Sequence, residues 1–402
     1  MTDLHGVEQA HSSGAVPRRG VTIVSASGAR LRDDTGREWI DCSAAHGWAA
    51  LGHGHPDVTE AIRSQAGRLV MLTESATNDM RAAWFSTLVE FLGRDFPATA
   101  RGPLSRIAPA NSGAEAVEAA LKFARFQTGR SGVVAFTRGF HGRTFGALSA
   151  TAPSPRRERF APLLPDVAHV PFDSLPAADA AIGDRTGAVL VEVVQGEGGV
   201  HEAGTEFLRG LEQLCRERGA LLIVDEIQTG FGRTGRWFAS AHHGLNPDLV
   251  VLGKALGGGL VPVSMFLARD DVMNVFTPGD HGSTFGGYPL GAAVGYEALK
   301  VLEEDSLVER SDRLGTYMLG KLRGLNHPAI RDVRGRGLLA GIEFDPARFS
   351  AGDICRELMH RGVLCKDTLR NTVRFAPPFV IEENEIDEAV AALSGVLTKL
   401  AA

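Results

Sequence analysis

The chain has 402 residues, 44% hydrophobic and 22% charged, the balance of a soluble globular protein long enough to bury a large core. Its 42 basic and 48 acidic residues give a formal net charge of −6 with no long run of either sign, which argues against nucleic acid or an anionic membrane as partner. No segment reaches the ~18 uninterrupted apolar residues of a membrane span. The four cysteines form no C-x-x-C pair, so no zinc or redox motif is expected and a reducing, cytoplasmic location is the plain reading.

In chain order, residues 1–20 are polar, rich in Ser, Gly, His and Arg, and read as a mobile or partner-ordered arm. Residues 29–41 read as two short strands around an Asp-Thr-Gly turn. From about Pro56 the pattern becomes α/β. Helical runs over 58–69, 80–91, 114–128 and 205–218 alternate with apolar strands over 132–136, 188–193, 220–225 and 249–253. Such alternation predicts a mainly parallel sheet with helices on both faces. A long helix over 292–304 leads out of the sheet, and the remainder, roughly 307–402, mixes helix and strand as a smaller α+β domain. The expected division is an arm with short strands over 1–45, a large domain over 46–295 and a small C-terminal domain over 296–402.

Two strand ends carry the chemistry. The run Leu221-Leu222-Ile223-Val224 ends on Asp225, and Leu249-Val250-Val251-Leu252-Gly253 ends on Lys254. An amine and a carboxylate at the ends of buried strands suit pyridoxal phosphate, which needs a lysine to condense with its aldehyde and an acid to keep its ring nitrogen protonated. Two solvated charges at strand ends are the competing reading. Asn111-Ser112-Gly113-Ala114-Glu115 opens a helical run, so the backbone N–H groups of Ser112, Gly113 and Ala114 are candidates for holding a phosphate. An ordinary N-cap serine with an acidic first turn has the same sequence. His53 and His55 lack a third ligand at suitable spacing, so a turn is expected there and no metal site. The pair His242-His243 is expected on the surface or in a turn.

Further motifs follow in a set order: Gly139-Phe140-His141-Gly142-Arg143-Thr144, Gln195-Gly196-Glu197-Gly198-Gly199, Asp225-Glu226-Ile227-Gln228-Thr229-Gly230, His281-Gly282-Ser283-Thr284-Phe285-Gly286-Gly287 and Arg374-Phe375-Ala376-Pro377-Pro378. Together with Lys254 they make the chain resemble the class III aminotransferases from about Gly28 to the C-terminus. Within that family it looks most like the ornithine-type enzymes, notably at Gly362-Val363-Leu364-Cys365-Lys366-Asp367. The resemblance implies the fold-type I architecture and a homodimer with shared sites, in which Thr284 reaches the phosphate of the neighbouring subunit's cofactor. It implies that Gln228 binds the ring's phenolic oxygen, that Ile227 and Phe140 sandwich the ring, and that His141 lies beside it. It further implies that Arg143 binds the distal carboxylate of glutamate or 2-oxoglutarate, that Arg374 binds the α-carboxylate of glutamate, and that Glu197 covers Arg374 when a donor reacts through its terminal amine. The implied reaction moves that terminal amino group from an ornithine-like ω-amino acid to 2-oxoglutarate, giving a semialdehyde and glutamate.

The pattern departs from the ornithine enzymes at the substrate end. His46 stands where they carry a tyrosine that contacts ornithine, Asn78 where a second tyrosine is expected, and Tyr288 where an asparagine is common. These changes point to an altered amine donor. A lyase, cyclase, decarboxylase or aminomutase using the same cofactor is the alternative, and retention of Glu197 with Arg374 argues against it, because a one-substrate enzyme needs no switch.

Overall fold

The computed structural model describes residues 4–96 and 102–401. Its centre is a seven-stranded sheet in the order Leu104–Ala110, Ser264–Arg269, Leu249–Leu252, Leu221–Asp225, Thr186–Val191, Gly132–Phe136, Val167–Val170. The last five strands in that order run parallel, and Ser264–Arg269 runs antiparallel to both of its neighbours. The sheet is therefore mainly parallel, as expected.

Alternation along each strand explains why both faces are apolar. Val134, Val189, Val191, Leu222 and Val224 point to one face and pack with Phe207, Leu208 and Leu211 of the helix Thr205–Arg218. Val133, Ala188, Leu190, Leu221 and Ile223 point to the other. There the helix Gly113–Thr128 approaches closely because its inner face is small: Ala116, Ala119, Ala120 and Ala124 are all buried. Each fully buried Val, Leu or Ile contributes roughly 1.5–3 kcal/mol relative to exposure.

Three strands of this sheet were not expected from sequence. Leu104–Ala110 contains Pro109, which an edge strand tolerates because it needs fewer ladder donors. Val167–Val170 is only four residues long, and Ser264–Arg269 is an antiparallel return with only the 3₁₀ turn Lys254–Gly257 before it.

A second, antiparallel sheet in the order Ile330–Arg336, Leu339–Phe344, Thr372–Phe375, Lys366–Thr368 lies in the C-terminal part with the helices Leu307–Arg323, Ala351–His360 and Glu383–Ala401. Lys366 and Arg374 are direct cross-strand partners in it. The N-terminal strands Ile23–Ser27, Arg30–Asp33 and Glu38–Asp41 form a third sheet, completed by Val363–Leu364 running parallel to Glu38–Asp41. The N-terminal arm contains a helix, Leu4–His11, that buries no side chain. His242 and His243 sit in a 3₁₀ turn, Ala239–His243, but His243 is buried and not on the surface, bonded to Thr205 Oγ1 at 2.8 Å. Among the described residues, no helix is long and apolar enough to cross a membrane, and no cluster of His, Cys, Asp or Glu could hold a metal.

Candidate active site

The carboxyl ends of the parallel strands open into a cavity of about 370 Å³. Ligands of open α/β sheets bind at this edge. Its lining includes Ser112, Gly113, Ala114, Phe140, His141, Glu192, Glu197, Asp225, Ile227, Gln228 and Lys254. Nine of the thirteen residues singled out from sequence thus converge here: Ser112, Gly113, Ala114, Phe140, Glu197, Asp225, Ile227, Gln228 and Lys254.

Asp225 ends its strand and is buried. Its Oδ1 accepts from the Ile227 N–H at 3.0 Å, and its Oδ2 lies 2.7 Å from His141 Nδ1. Burial favours the neutral His141 ring, but the Asp225 carboxylate outweighs it and raises the imidazole's pKa. Lys254 follows the next strand in a left-handed conformation, φ 46°. Its amine has no hydrogen-bond partner among the described residues. Burial pushes it down to about 8, against the pull of Asp225. An amine with that pKa is partly unprotonated near neutral pH and therefore nucleophilic.

The helix start at Ser112 is an ordinary N-cap that also leaves backbone donors open at the cavity wall. Ser112 caps the helix Gly113–Thr128 by accepting from the Glu115 N–H at 3.2 Å. The Gly113 and Ala114 N–H groups have no carbonyl partner within the helix and face the cavity end where its dipole is positive. Gly113 must lack a side chain, since a Cβ there would stand 2.8 Å from Ile227 Cδ1. An acid at one end, an unpaired amine in the wall and an anion-binding helix start at the other fit pyridoxal phosphate.

At the mouth, Arg374 is buried and donates through Nη1 to Glu197 Oε1 at 2.8 Å, to the Gly196 carbonyl at 3.2 Å and to Gln228 Oε1 at 3.3 Å. A Cβ on Gly196 would stand 1.5 Å from Gln228 Oε1, so any larger residue there would displace the Gln228 amide. Glu197 Oε2 takes a second cation, Lys366 Nζ, at 2.6 Å. Burial favours the neutral acid, yet Arg374 and Lys366 together hold the Glu197 carboxyl at about 2, so it stays ionised throughout the working range.

Sequence reasoning did not single out Lys366 or Glu192. Glu192 is buried beside His141 and Asp225, accepts the Phe140 N–H at 2.9 Å, and is pushed up to about 7 by that burial. It follows a strand end as Asp225 does, which is the signal that could have found it.

Four of the thirteen lie outside the cavity wall: Arg374 at the mouth, and Arg143, Thr284 and His46. Arg143 and Thr284 are exposed. His46 is also largely exposed, but its carbonyl accepts from Gln228 Nε2 at 3.3 Å, and partial desolvation of the ring together with the Lys366 charge pushes it down to about 4. Ala44, Ala45 and His46 all have positive φ, 44°, 48° and 64°. Left-handed non-glycine residues cost of order 1–3 kcal/mol each. The segment is held by Asp41, whose Oδ1 accepts from the Ser43 and Ala44 N–H groups while Oδ2 lies 2.8 Å from His53 Nε2. His53 thus helps to position the 44–46 segment through Asp41. Asn78 is committed to capping the helix Asp79–Asp95, accepting the Arg81 N–H at 3.1 Å.

Comparison with known proteins agrees with this geometry. The "Aminotransferase class-III" family profile matches residues 12–397. Ornithine aminotransferase 1 of Staphylococcus aureus is 41% identical over 384 residues, 94% of each chain. The [LysW]-aminoadipate semialdehyde transaminase of Deinococcus radiodurans is 42% identical over 395 residues, 98% of this chain and 90% of its own. The crystal structure of ornithine aminotransferase from Toxoplasma gondii superimposes with a TM-score of 0.92 at 34% identity, covering 99% of this chain and 94% of that one. From the family-wide match and the strand-end acid and lysine in one cavity, the chain belongs to the class III aminotransferases, which work with pyridoxal phosphate.

Proposed function

We propose that this enzyme moves the terminal amino group of an ω-amino acid to 2-oxoglutarate, giving a semialdehyde and glutamate. The observation that carries the reading is the Glu197–Arg374 pair at 2.8 Å. A site that accepts glutamate through its α-amine needs a guanidinium for the α-carboxylate. A site that accepts a donor through its far end must keep that guanidinium covered. A salt bridge that opens for one substrate and closes for the other serves both, and a one-substrate lyase has no use for it.

Bound pyridoxal phosphate supplies an electron sink that makes a substrate C–H acidic. The chain's residues do the rest. The Gly113 and Ala114 N–H groups would hold the phosphate, Asp225 would keep the proton on the ring nitrogen, Gln228 would bind the phenolic oxygen, and Phe140 and Ile227 would pack against the ring. Lys254 Nζ removes the proton from the amine-bearing carbon of the substrate, its flexible stem giving it the reach. Arg143, exposed and without an ion-pair partner among the described residues, is available for the distal carboxylate.

The donor is not assigned to ornithine itself. His46 and Asn78 stand at the tyrosine positions, and Asn78 is occupied as a helix cap. The D. radiodurans relative, as similar to this chain as the S. aureus enzyme, is named for a different semialdehyde. These points favour a donor altered at its α-amino end. An absorbance screen of the holoenzyme tests the whole reading. The cofactor band should be lost with the true ω-amine and return with 2-oxoglutarate. No return with any 2-oxo acid would favour the lyase or mutase alternative.

Glu197→Ala should leave Arg374 permanently open. Glutamate should then react as well as before or better, and the terminal-amine donor worse. The ratio of specificity constants should shift by ~1–3 kcal/mol, roughly tenfold to a hundredfold. Arg374→Ala should damage the glutamate half-reaction and largely spare the donor one. Single-turnover kinetics of both half-reactions decides it, and equal losses on both sides would mean that no switch operates.

We further propose a homodimer with shared sites. Thr284 and Phe285 project outward, Phe285 being 57% exposed, beside Ser283, which is bonded to Asn111 and Glu115 at the helix start. That geometry suits a threonine donated to a partner's phosphate. Light scattering should give a dimer, and Thr284→Ala should weaken cofactor retention on dialysis. A fully active monomer would contradict the arrangement.

A further inference from the structure

Lys366 and Arg374 face each other directly across an antiparallel ladder. Like charges at such positions repel and destabilise a sheet unless an anion lies between them. Glu197 is that anion, with one oxygen on each cation, 2.6 Å from Lys366 Nζ and 2.8 Å from Arg374 Nη1. The cluster is still one negative charge short. The shortfall has a location. Arg374 is 1% exposed, and its Nη2 is buried without a hydrogen-bond partner among the described residues. A vacant donor on a buried guanidinium is costly unless something fills it. A carboxylate arriving there would pair with Arg374 and make the cluster neutral.

We propose that Lys366 is a specificity-determining residue. It is the cation to which Glu197 retires when Arg374 takes the α-carboxylate of glutamate. The proposal rests on the masking role given to Glu197 above and deepens it. Without a second cation, uncovering Arg374 would strand an ionised Glu197 in a partly buried site, which is strongly unfavourable. With Lys366 already bonded to Oε2, Glu197 needs only to release Oε1. The arriving carboxylate then exchanges one ion pair for another, and the gate opens at little cost. When the terminal-amine donor is bound, Glu197 returns to bridge both cations and Arg374 is covered.

Lys366→Met keeps the aliphatic stem and removes the charge; Lys366→Arg keeps the charge. Both half-reactions of the holoenzymes are followed by single-turnover absorbance, and glutarate, a non-reacting dicarboxylate, is titrated by calorimetry. In Lys366→Met, glutamate reactivity should fall about tenfold more than donor reactivity, glutarate should bind about tenfold more weakly, and Lys366→Arg should restore most of both. The deciding arm is a double-mutant cycle with Glu197→Ala. Once Glu197 is gone there is nothing to park, so adding Lys366→Met should change the glutamate-to-donor ratio less than about twofold. A full tenfold change in that background would overturn the proposal, since Lys366 would then act as a plain attractive charge. Equal losses in both half-reactions of Lys366→Met, or no rescue by arginine, would overturn it too while leaving the masking role intact. Failure of Glu197→Ala alone to favour glutamate would remove the masking role and this proposal with it.

Discussion

Lys254→Ala is expected to lower turnover by at least ~10⁴-fold, because in the proposed reaction one substitution removes both the amine that would hold the cofactor covalently and the base that would move the substrate proton. A positioned base alone contributes typically ~10²–10⁴. The rest of the cavity survives the change. The helix start at Gly113, Asp225 and Gln228 do not depend on the Lys254 side chain, so the variant should fold and bind the cofactor non-covalently. Borohydride treatment and mass spectrometry separate the two forms: the natural chain should gain the mass of one cofactor, and the variant none. The same amine gives a pH signature. With its pKa pushed down to about 8 by burial, the unprotonated fraction grows as pH rises towards and past that value. The rate at which apoprotein fixes the cofactor should therefore climb between about pH 7 and 8.5 and then level off. A rate independent of pH over that window, or near-normal turnover of the variant, would remove Lys254 from both roles.

Most of the cofactor end was legible because its residues sit where local rules place them. Asp225 and Lys254 close uninterrupted apolar runs that can only be buried strands, and Gly113 opens a helix whose inner face is written in alanines. The strands Leu104–Ala110 and Ser264–Arg269 were not legible, because pairing across the sheet is a non-local contact and Pro109 argues locally against a strand. The substrate end was harder for the same reason. Lys366 looks like any exposed strand lysine until the ladder register sets it opposite Arg374 and the loop after Val194–Gln195 brings Glu197 between them. Nor does sequence reveal that His141, next to Phe140, meets Asp225, 84 positions away. Spacing along the chain carries no trace of such a contact.

That contact bears on the second large effect. Asp225→Asn should leave the cavity's shape intact and slow substrate deprotonation by roughly 10- to 10³-fold. An adjacent carboxylate raises a nitrogen's pKa by about 1–3 units, and each unit changes the protonated fraction up to tenfold. A neutral amide offers no such stabilisation, so the ring nitrogen would lose its proton and the electron sink would weaken. The variant also separates charge from geometry at His141. In the natural chain the Asp225 carboxylate overcomes burial and raises the imidazole's pKa; with asparagine only burial remains, and the ring should stay neutral to lower pH. The pH profile of the donor half-reaction should therefore change along with its height, and the His141 ring signals followed by NMR should titrate at lower pH. Asp225→Glu supplies the control, because it restores the charge with a longer reach and should recover part of the rate if charge is the essential property. Unchanged single-turnover rates with the amine donor in Asp225→Asn would mean that the ring nitrogen does not depend on this acid for its proton. An equally slow Asp225→Glu with an unaltered His141 titration would mean that position, rather than charge, is what Asp225 contributes.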